Sequence, residues 1–383
     1  MRVNLGAVAK ESRETISGNK NGLPVVGLEH LITGEISLTA WDVDCENTFT
    51  KVFRKGQILF GRRRAYLKKA VVAPFDGICS GDITLIEALP DKLLPELLPF
   101  IIQNDTFFDY AVGKSAGSLS PRVKWERLRD FEFELPTLLE QRKLADLLWA
   151  ANSTRESYKK VISAADELVK SRFVEMFGSA QIKQQGWEQI PVSEVFYKPM
   201  SGEWGTEDID GTGVKVLRTT NFTDEGYINY ADVVTRLISD KKCQAKALKR
   251  NDIIIEKSGG SDTKPVGRVV LVRTQQENLL FNNFTSVLRI IDSSVFDSLF
   301  VFQFLYNTYW NGGTKLYDNK TTGIHNLRLL DYLENTFIPI PPIDLQNAFA
   351  DFVRQADKSK FELQHTLEEL ETTYKSILRE NLG

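Results

Sequence analysis

The segment GKSAGSLSPRVKWERLRDFEFELPTLLEQRKLADLL, residues 113–148, recurs without a gap as DNKTTGIHNLRLLDYLENTFIPIPPIDLQNAFADFV, residues 318–353, an offset of 205. Pro136 meets Pro341, Gln141 meets Gln346, and Ala145-Asp146 meets Ala350-Asp351. Farther on, Lys170-Ser171 meets Lys375-Ser376 in the same register. Self-similarity at half the chain length fixes the unit that folds, so it is read before any local propensity. The starts of the two copies correspond more loosely, Leu5 to Val8 with Val192 to Val195, at an offset of 187, which gives the second copy 18 extra residues ahead of the shared segment. Between these ends only a pattern is common. FRKGQILFGRRR from Phe53 resembles LKRNDIIIEKSGG from Leu248 as a polar turn, a short apolar strand and a polar tip.

Each copy ends in a long helical pattern. From Thr137 to Phe177 there is neither Pro nor Gly, and apolar residues recur every seven positions: Leu144, Ala151, Tyr158 and Ala165 on one line, Leu148, Ile162, Val169 and Met176 on the next. The second copy carries Phe349, Ala356, Leu363, Leu370 and Ile377, with Val353, Leu367 and Tyr374 beside them. Both read as heptad seams. Because Leu144 and Phe349 are repeat equivalents, the helices suit packing on each other about a pseudo-two-fold axis, with Leu144, Leu148, Ala151, Tyr158 and Ile162 meeting Phe349, Val353, Ala356, Leu363, Leu367 and Leu370. The alternative is two amphipathic helices that each cover their own domain. Gly178 ends the first pattern and Pro341-Pro342 opens the second.

The remaining segments alternate short β-rich runs (VVAPF, ITLIEA, GRVVLV, SVLRII) with turns and one helix-like stretch each, residues 93–112 and 295–310. The expected fold class is therefore α+β, with mixed α/β globules at 1–136 and 179–341 and long helices at 137–178 and 342–383, the helices forming an antiparallel coiled coil.

The composition fits that plan. A chain of 383 residues exceeds one ordinary core, and 42% hydrophobic with 26% charged residues is globular rather than disordered. The N-terminus MRVNLGAVAKESRETI lacks the apolar core of a signal peptide, so a soluble, cytoplasmic protein is expected. Cys45, Cys79 and Cys243 lie far apart with no CxxC spacing, and the three histidines are scattered, so neither a disulfide framework nor a metal site is expected. A net charge of −3 excludes a uniformly basic nucleic-acid coat and confines any DNA binding to local patches.

No catalytic constellation stands out. There is no (N/D)PP(Y/F) tetrapeptide and no cofactor-binding glycine cluster, and the phosphate-loop lookalike AVGKSAGS has Phe108 where the motif needs its first glycine. The acidic group Glu368, Glu369 and Glu371 suits a solvated helix face. The positive signal is basic. Residues 50–72 carry eight Lys or Arg and no acid. A strand QILF there delivers Arg62, Arg63 and Arg64 to a rim, followed by Tyr66, Lys68 and Lys69. Arginine offers a planar fork to guanine O6 and N7, while lysine serves phosphates as a point charge. An ordinary solvated face is the competing reading. Residues 241–273 hold nine basic residues against three acidic ones. They include Lys257, Ser258, Lys264 and Arg268 around a glycine-rich loop that is either a DNA-approaching tip or a plain hairpin. The segments before the helices offer Lys114, Ser115, Ser118, Ser120 and Arg122 in one copy and Lys320, Thr321, Thr322 and His325 in the other. These suit phosphate contact or a tight joint between domain and helix.

Taken together, GQILFGRRRAYLKKAVVAPFDGICSGD from Gly56, GSLSPRVKW from Gly117 and FEFELPTLLEQRKLADLL from Phe131 resemble the specificity subunits of Type I restriction-modification systems, and the likeness covers essentially the whole chain. The second copy departs from the family's helix-entry pattern, with Leu345-Gln346 against Glu140-Gln141. The resemblance implies two target recognition domains, each reading half of a split double-stranded DNA target, with the helices as a ruler. It implies two methyltransferase subunits and restriction/translocase subunits as partners, and no cofactor of its own, since S-adenosylmethionine, ATP and magnesium belong to those partners. Unlike domains imply an asymmetric target. The rival readings are a coiled-coil scaffold for proteins only and an enzyme with an unrecognised metal-dependent nuclease site.

Overall fold

The computed structural model describes residues 1–383 apart from 19, 179–185, 277, 322 and 383. It divides into two compact units, Met1–Lys160 with Leu363–Gly383, and Val161–Glu362. No helix among the described residues is long and apolar enough to cross a membrane.

The strand Ile58–Gly61 shows how the first unit is layered. Its four residues are all buried, and the two-residue period of a strand sends Ile58 and Phe60 into one core and Leu59 into another. The first core is shared with helices and the second with another sheet, which is why the strand reads as a continuous apolar run. It sits in an antiparallel sheet of order Ala9–Ser12, Ile83–Ala88, Ile58–Gly61, Ala70–Val72. A second sheet has the order Asp42–Val43, Pro24–Val26, Gly77–Cys79, Lys51–Phe53, and its central pair is parallel.

The second unit repeats this plan. Ile253 and Ile255 of the strand Ile253–Glu256 enter one core and Ile254 the other. The sheets run Met200–Ser201, Thr285–Leu288, Ile253–Glu256, Val269–Leu271, and Thr206–Glu207, Val234–Leu237, Val214–Leu217, Leu279–Phe281. In both units a two-stranded ribbon joins the start to the segment before the long helix: Arg2–Asn4 with Glu132–Glu134, and Gln189–Pro191 with Phe337–Pro339. The helix-like stretches differ. The first breaks into Leu98–Ile102 and Asp105–Gly113 because the Asn104 side chain accepts from Thr106 N at 3.1 Å and caps a new helix, whereas Ser298–Trp310 runs unbroken from its Asp297 cap.

The long helices span Leu138–Phe177 and Ile343–Leu382, 40 residues each, or about 60 Å at 1.5 Å per residue. One buried glutamine fixes the start of each. Gln141 accepts from Leu94 N (2.9 Å) and donates to Lys92 O (3.2 Å) and Pro136 O (3.0 Å). Gln346 accepts from Asp297 N (2.9 Å) and donates to Val295 O (2.9 Å) and Pro341 O (2.8 Å). The departure at Glu140 also has a local reason: its carboxylate accepts from Thr137 N and Oγ1 as a helix cap, a role that leucine at 345 cannot fill.

Within the first unit, Leu144, Ala145 and Leu148 of the first helix share a core with Tyr374, Leu378 and Leu382 of the second. Within the second unit, Phe173 and Phe177 of the first helix pack on Phe349 of the second, with ring centroids 5.4 and 5.6 Å apart, while Asp166 binds Lys360 at 2.7 Å. Lower numbers on one helix meet higher numbers on the other, so the pair is antiparallel. Among the seam residues read from the sequence, Leu144, Leu148, Phe349 and Val353 are buried, and Ala151, Tyr158, Ile162, Ala356, Leu363, Leu367 and Leu370 are half-buried. Each seam skips one heptad position, and those positions hold buried cations at equivalent places in the repeat. Arg155 donates to Gly34 O (2.7 Å) and Lys360 to Asp166.

Candidate nucleic-acid interface

In both units the central strand leaves the sheet into the same backbone frame. Arg62 N donates to Asp82 O (3.0 Å), Gly61 N to Lys69 O (2.8 Å) and Val123 N to Arg62 O (3.0 Å). The counterparts are Lys257 N to Phe284 O (2.9 Å), Glu256 N to Arg268 O (2.8 Å) and Leu327 N to Lys257 O (2.8 Å). Each unit therefore gathers at one sheet end the loop after the central strand, the turn before the Ile83–Ala88 or Thr285–Leu288 strand, and the segment before the long helix. In the second unit these segments form a three-stranded sheet of Ser258–Gly260, Ile324–Leu327 and Asp318–Thr321. In the first, among the described residues, they form isolated bridges, Arg63 with Arg122 and Ala116 with Arg122.

The first rim is arginine-rich. Arg64 is exposed in a left-handed turn (φ 54°), and Lys68 repeats that conformation (φ 48°), bracketing the exposed Tyr66. Arg63 donates to Ser120 Oγ (3.3 Å) and lies 3.6 Å from Asp82. Arg122 binds Asp82 through Nε (2.7 Å) and Nη2 (3.2 Å), and this bond holds the Asp82 carboxyl below the usual carboxylate range. Arg62 is half-buried at the strand end. Lys68 reaches Asp105 (2.5 Å), and Lys69 donates to Leu28 O (2.7 Å). Ser118 and Lys114 are exposed, Lys114 beside the Tyr110 ring, while Ser115 Oγ is spent on Ala111 O (2.9 Å).

The second rim is largely neutralised. Arg268 donates two hydrogen bonds to Glu256 (2.8 and 3.0 Å), and Glu256 is only 1% exposed. Lys264 pairs with Asp224 (2.7 Å) and Lys320 with Asp262 (2.8 Å). His325 Nδ1 lies 2.7 Å from Asp318. Lys257 donates to Ser201 Oγ (2.6 Å), and burial together with neighbouring Lys246 lowers its pKa. Ser258 donates to Asn326 Oδ1 (2.6 Å). Thr321 ends a rim strand, and Thr322 lies outside the described residues.

Two other cations of the first basic run are held by other partners. Lys51 donates to Ile83 O (2.6 Å) and Arg54 is clasped by Glu14 and Asp76. Sequence reasoning missed Asp82, Ser201 and Asn326. The SGD turn in the quoted family stretch was the available signal for Asp82.

Two α+β units built on one frame, each with its share of an antiparallel helix pair and with unlike rims, define a duplicated α+β protein. A family model described as the Type I restriction modification DNA specificity domain matches residues 184–372. Over those residues the chain carries that domain, and its resemblance to Type I restriction-modification specificity subunits holds. It is 27% identical over 129 residues to the Type I restriction enzyme EcoDI specificity subunit of Escherichia coli, covering 33% of this chain and 28% of that one. It is 24% identical over 283 residues to the Type I restriction enzyme MjaIX specificity subunit of Methanocaldococcus jannaschii, covering 69% and 62%. The chain thus spans less than two thirds of either relative. The fold is shared with the Type I system S subunit of M. genitalium (TM-score 0.58, 12% identity, 100% and 96% coverage). It is also shared with a chain from a structure of Type I complex assembly and conformational transition (TM-score 0.56, 20% identity, 100% and 97% coverage).

Proposed function

We propose that the chain directs partner methyltransferase subunits, and with them restriction/translocase subunits, to an asymmetric bipartite DNA target. The observation that carries this reading is the pair of equivalent rims, one backbone frame holding Arg62, Arg63 and Arg122 in one unit and Lys257, Ser258 and Asn326 in the other. A constant frame with variable side chains fits two reading heads for two different half-sites. The chain carries no chemistry of its own in this reading; S-adenosylmethionine, ATP and magnesium enter with the partners. Docking along the helices is supported by Val161 and Leu168, one heptad apart and 51% and 55% exposed. The helix pair then sets the spacer between the half-sites.

The test is methylome sequencing of a host that expresses the chain with its methyltransferase, first as wild type and then with seven residues removed from both long helices. A split, non-palindromic motif is expected, and the shortened helices should change its spacer while leaving both halves intact. A palindromic or unsplit motif contradicts the two-headed reading, and an unchanged spacer contradicts the ruler.

A further inference from the structure

Asp82 places a negative charge on the rim that faces DNA in the reading above. Such a charge weakens attraction for phosphates, so its presence there requires an offsetting role. Holding the turn is not that role, because the backbone does so already. Ile83 N donates to Ser80 O (3.0 Å), Arg62 N to Asp82 O (3.0 Å), and Asp82 N to Ser80 Oγ (3.2 Å). The carboxylate instead engages arginine. Its two oxygens take Nε and Nη2 of Arg122 at 2.7 and 3.2 Å, and Arg63 Nη1 stands 3.6 Å away.

A guanidinium has five N–H groups in a fixed plane. Asp82 occupies the side edge of Arg122, and one N–H of Nη1 donates to Ser120 O at a long 3.5 Å. The end-on fork, one N–H from each Nη, has no partner among the described residues, and the side chain is 45% exposed. That fork matches guanine O6 and N7 in the major groove. A free arginine would sample many rotamers and bind phosphate equally well. A side edge fixed by a carboxylate limits the fork to one direction and raises selectivity over affinity. At the equivalent backbone position the second unit has Phe284, so this device is confined to the first.

We infer that Asp82 is a positioning residue that fixes Arg122 as a guanine-reading fork for the half-site met by the first unit, an inference that rests on the DNA-reading function proposed above.

The experiment uses the full chain assembled with its methyltransferase subunits on a randomised DNA duplex library. Bound duplexes are sequenced for wild type, Asp82→Ala and Arg122→Lys. Wild type should enrich a split motif with a guanine in one half. Both variants should lose preference for that guanine by about tenfold or more, while the other half-site is selected as before. Binding of Asp82→Ala to a duplex lacking the motif should equal or exceed that of wild type, because a negative charge has gone; a residue that merely supported the fold would lower both. Arg122→Lys keeps a cation beside Asp82 and so keeps the ion pair, which covers the case of Asp82→Ala failing to fold. Unchanged guanine preference in either folded variant, uniform loss across both halves, or a motif without guanine in the affected half overturns the inference and leaves DNA reading standing. Absence of any wild-type motif overturns both.

Discussion

In the second unit Arg268 meets Glu256 at 2.8 and 3.0 Å, and in the first Arg122 meets Asp82 at 2.7 and 3.2 Å. The chemistry is the same and the surroundings are not. Glu256 is 1% exposed and Arg268 17%, whereas Asp82 is 19% and Arg122 45% exposed. A carboxylate taken out of water is tolerated only while its partner stays in place, so the buried pair holds the frame together. The exposed pair gains little stability from its contact, and its cation keeps a free donor edge. Burial, more than residue type, separates the structural arginine from the one that can face a ligand.

Removing each arginine should break that comparison most visibly. Arg268→Ala leaves Glu256 unpaired in the interior and is expected to lower stability by about 3–5 kcal/mol. Arg122→Ala should change it far less, because an exposed ion pair contributes little to stability. Denaturant unfolding of the full chain, read with a probe in each unit, distinguishes the two. Equal losses would mean that the arginines do the same work.

A smaller and symmetric effect is expected at the helix starts. Gln141 and Gln346 each satisfy one backbone N–H and two carbonyls. Alanine at either site strands those groups and should cost about 2–3 kcal/mol. Amide exchange should rise near Leu94 in one variant and near Asp297 in the other. Because this clamp belongs to the invariant frame, losses that differ several-fold between the copies would show that the frames are not energetically equivalent.

The difference between frame and rim also explains what the sequence could reveal. The α+β class, the antiparallel helix pair and the duplicated plan were legible because periodicity and the 205-residue offset are local or regular signals, and Gln141 and Gln346 lay in register within them. The polar seam positions were not, since Arg155 and Lys360 interrupt the apolar lines by which a seam is recognised. Their burial depends on Gly34 O and Asp166, distant in sequence. At the rims a count of cations was a poor guide. The eight basic residues of 50–72 look alike in the sequence, yet Lys51 and Arg54 are engaged by Ile83 O and by Glu14 and Asp76. Asp82 lies outside every basic run and 40 residues from Arg122, so only the folded turn brings it to the site.

The weakest expected effect is a pH response at the first rim. The Arg122 hydrogen bond lowers the Asp82 pKa in the folded state, from an ordinary aspartate value of about 3.9. The stabilisation from a depressed carboxylate is fully present above the unfolded pKa and is lost only as pH falls through the folded one. Asp82 therefore stays ionised throughout the range from about pH 8 to about pH 5. Over that range the ratio of binding to duplexes with and without the guanine read by the first unit should be constant, even if total affinity drifts as other groups titrate. Taking the ratio removes contributions common to both duplexes and isolates the fork. A selectivity decline centred near pH 6 would assign the control to a group other than Asp82. Constant selectivity that persists in Asp82→Ala would show that Arg122 needs no carboxylate to aim it.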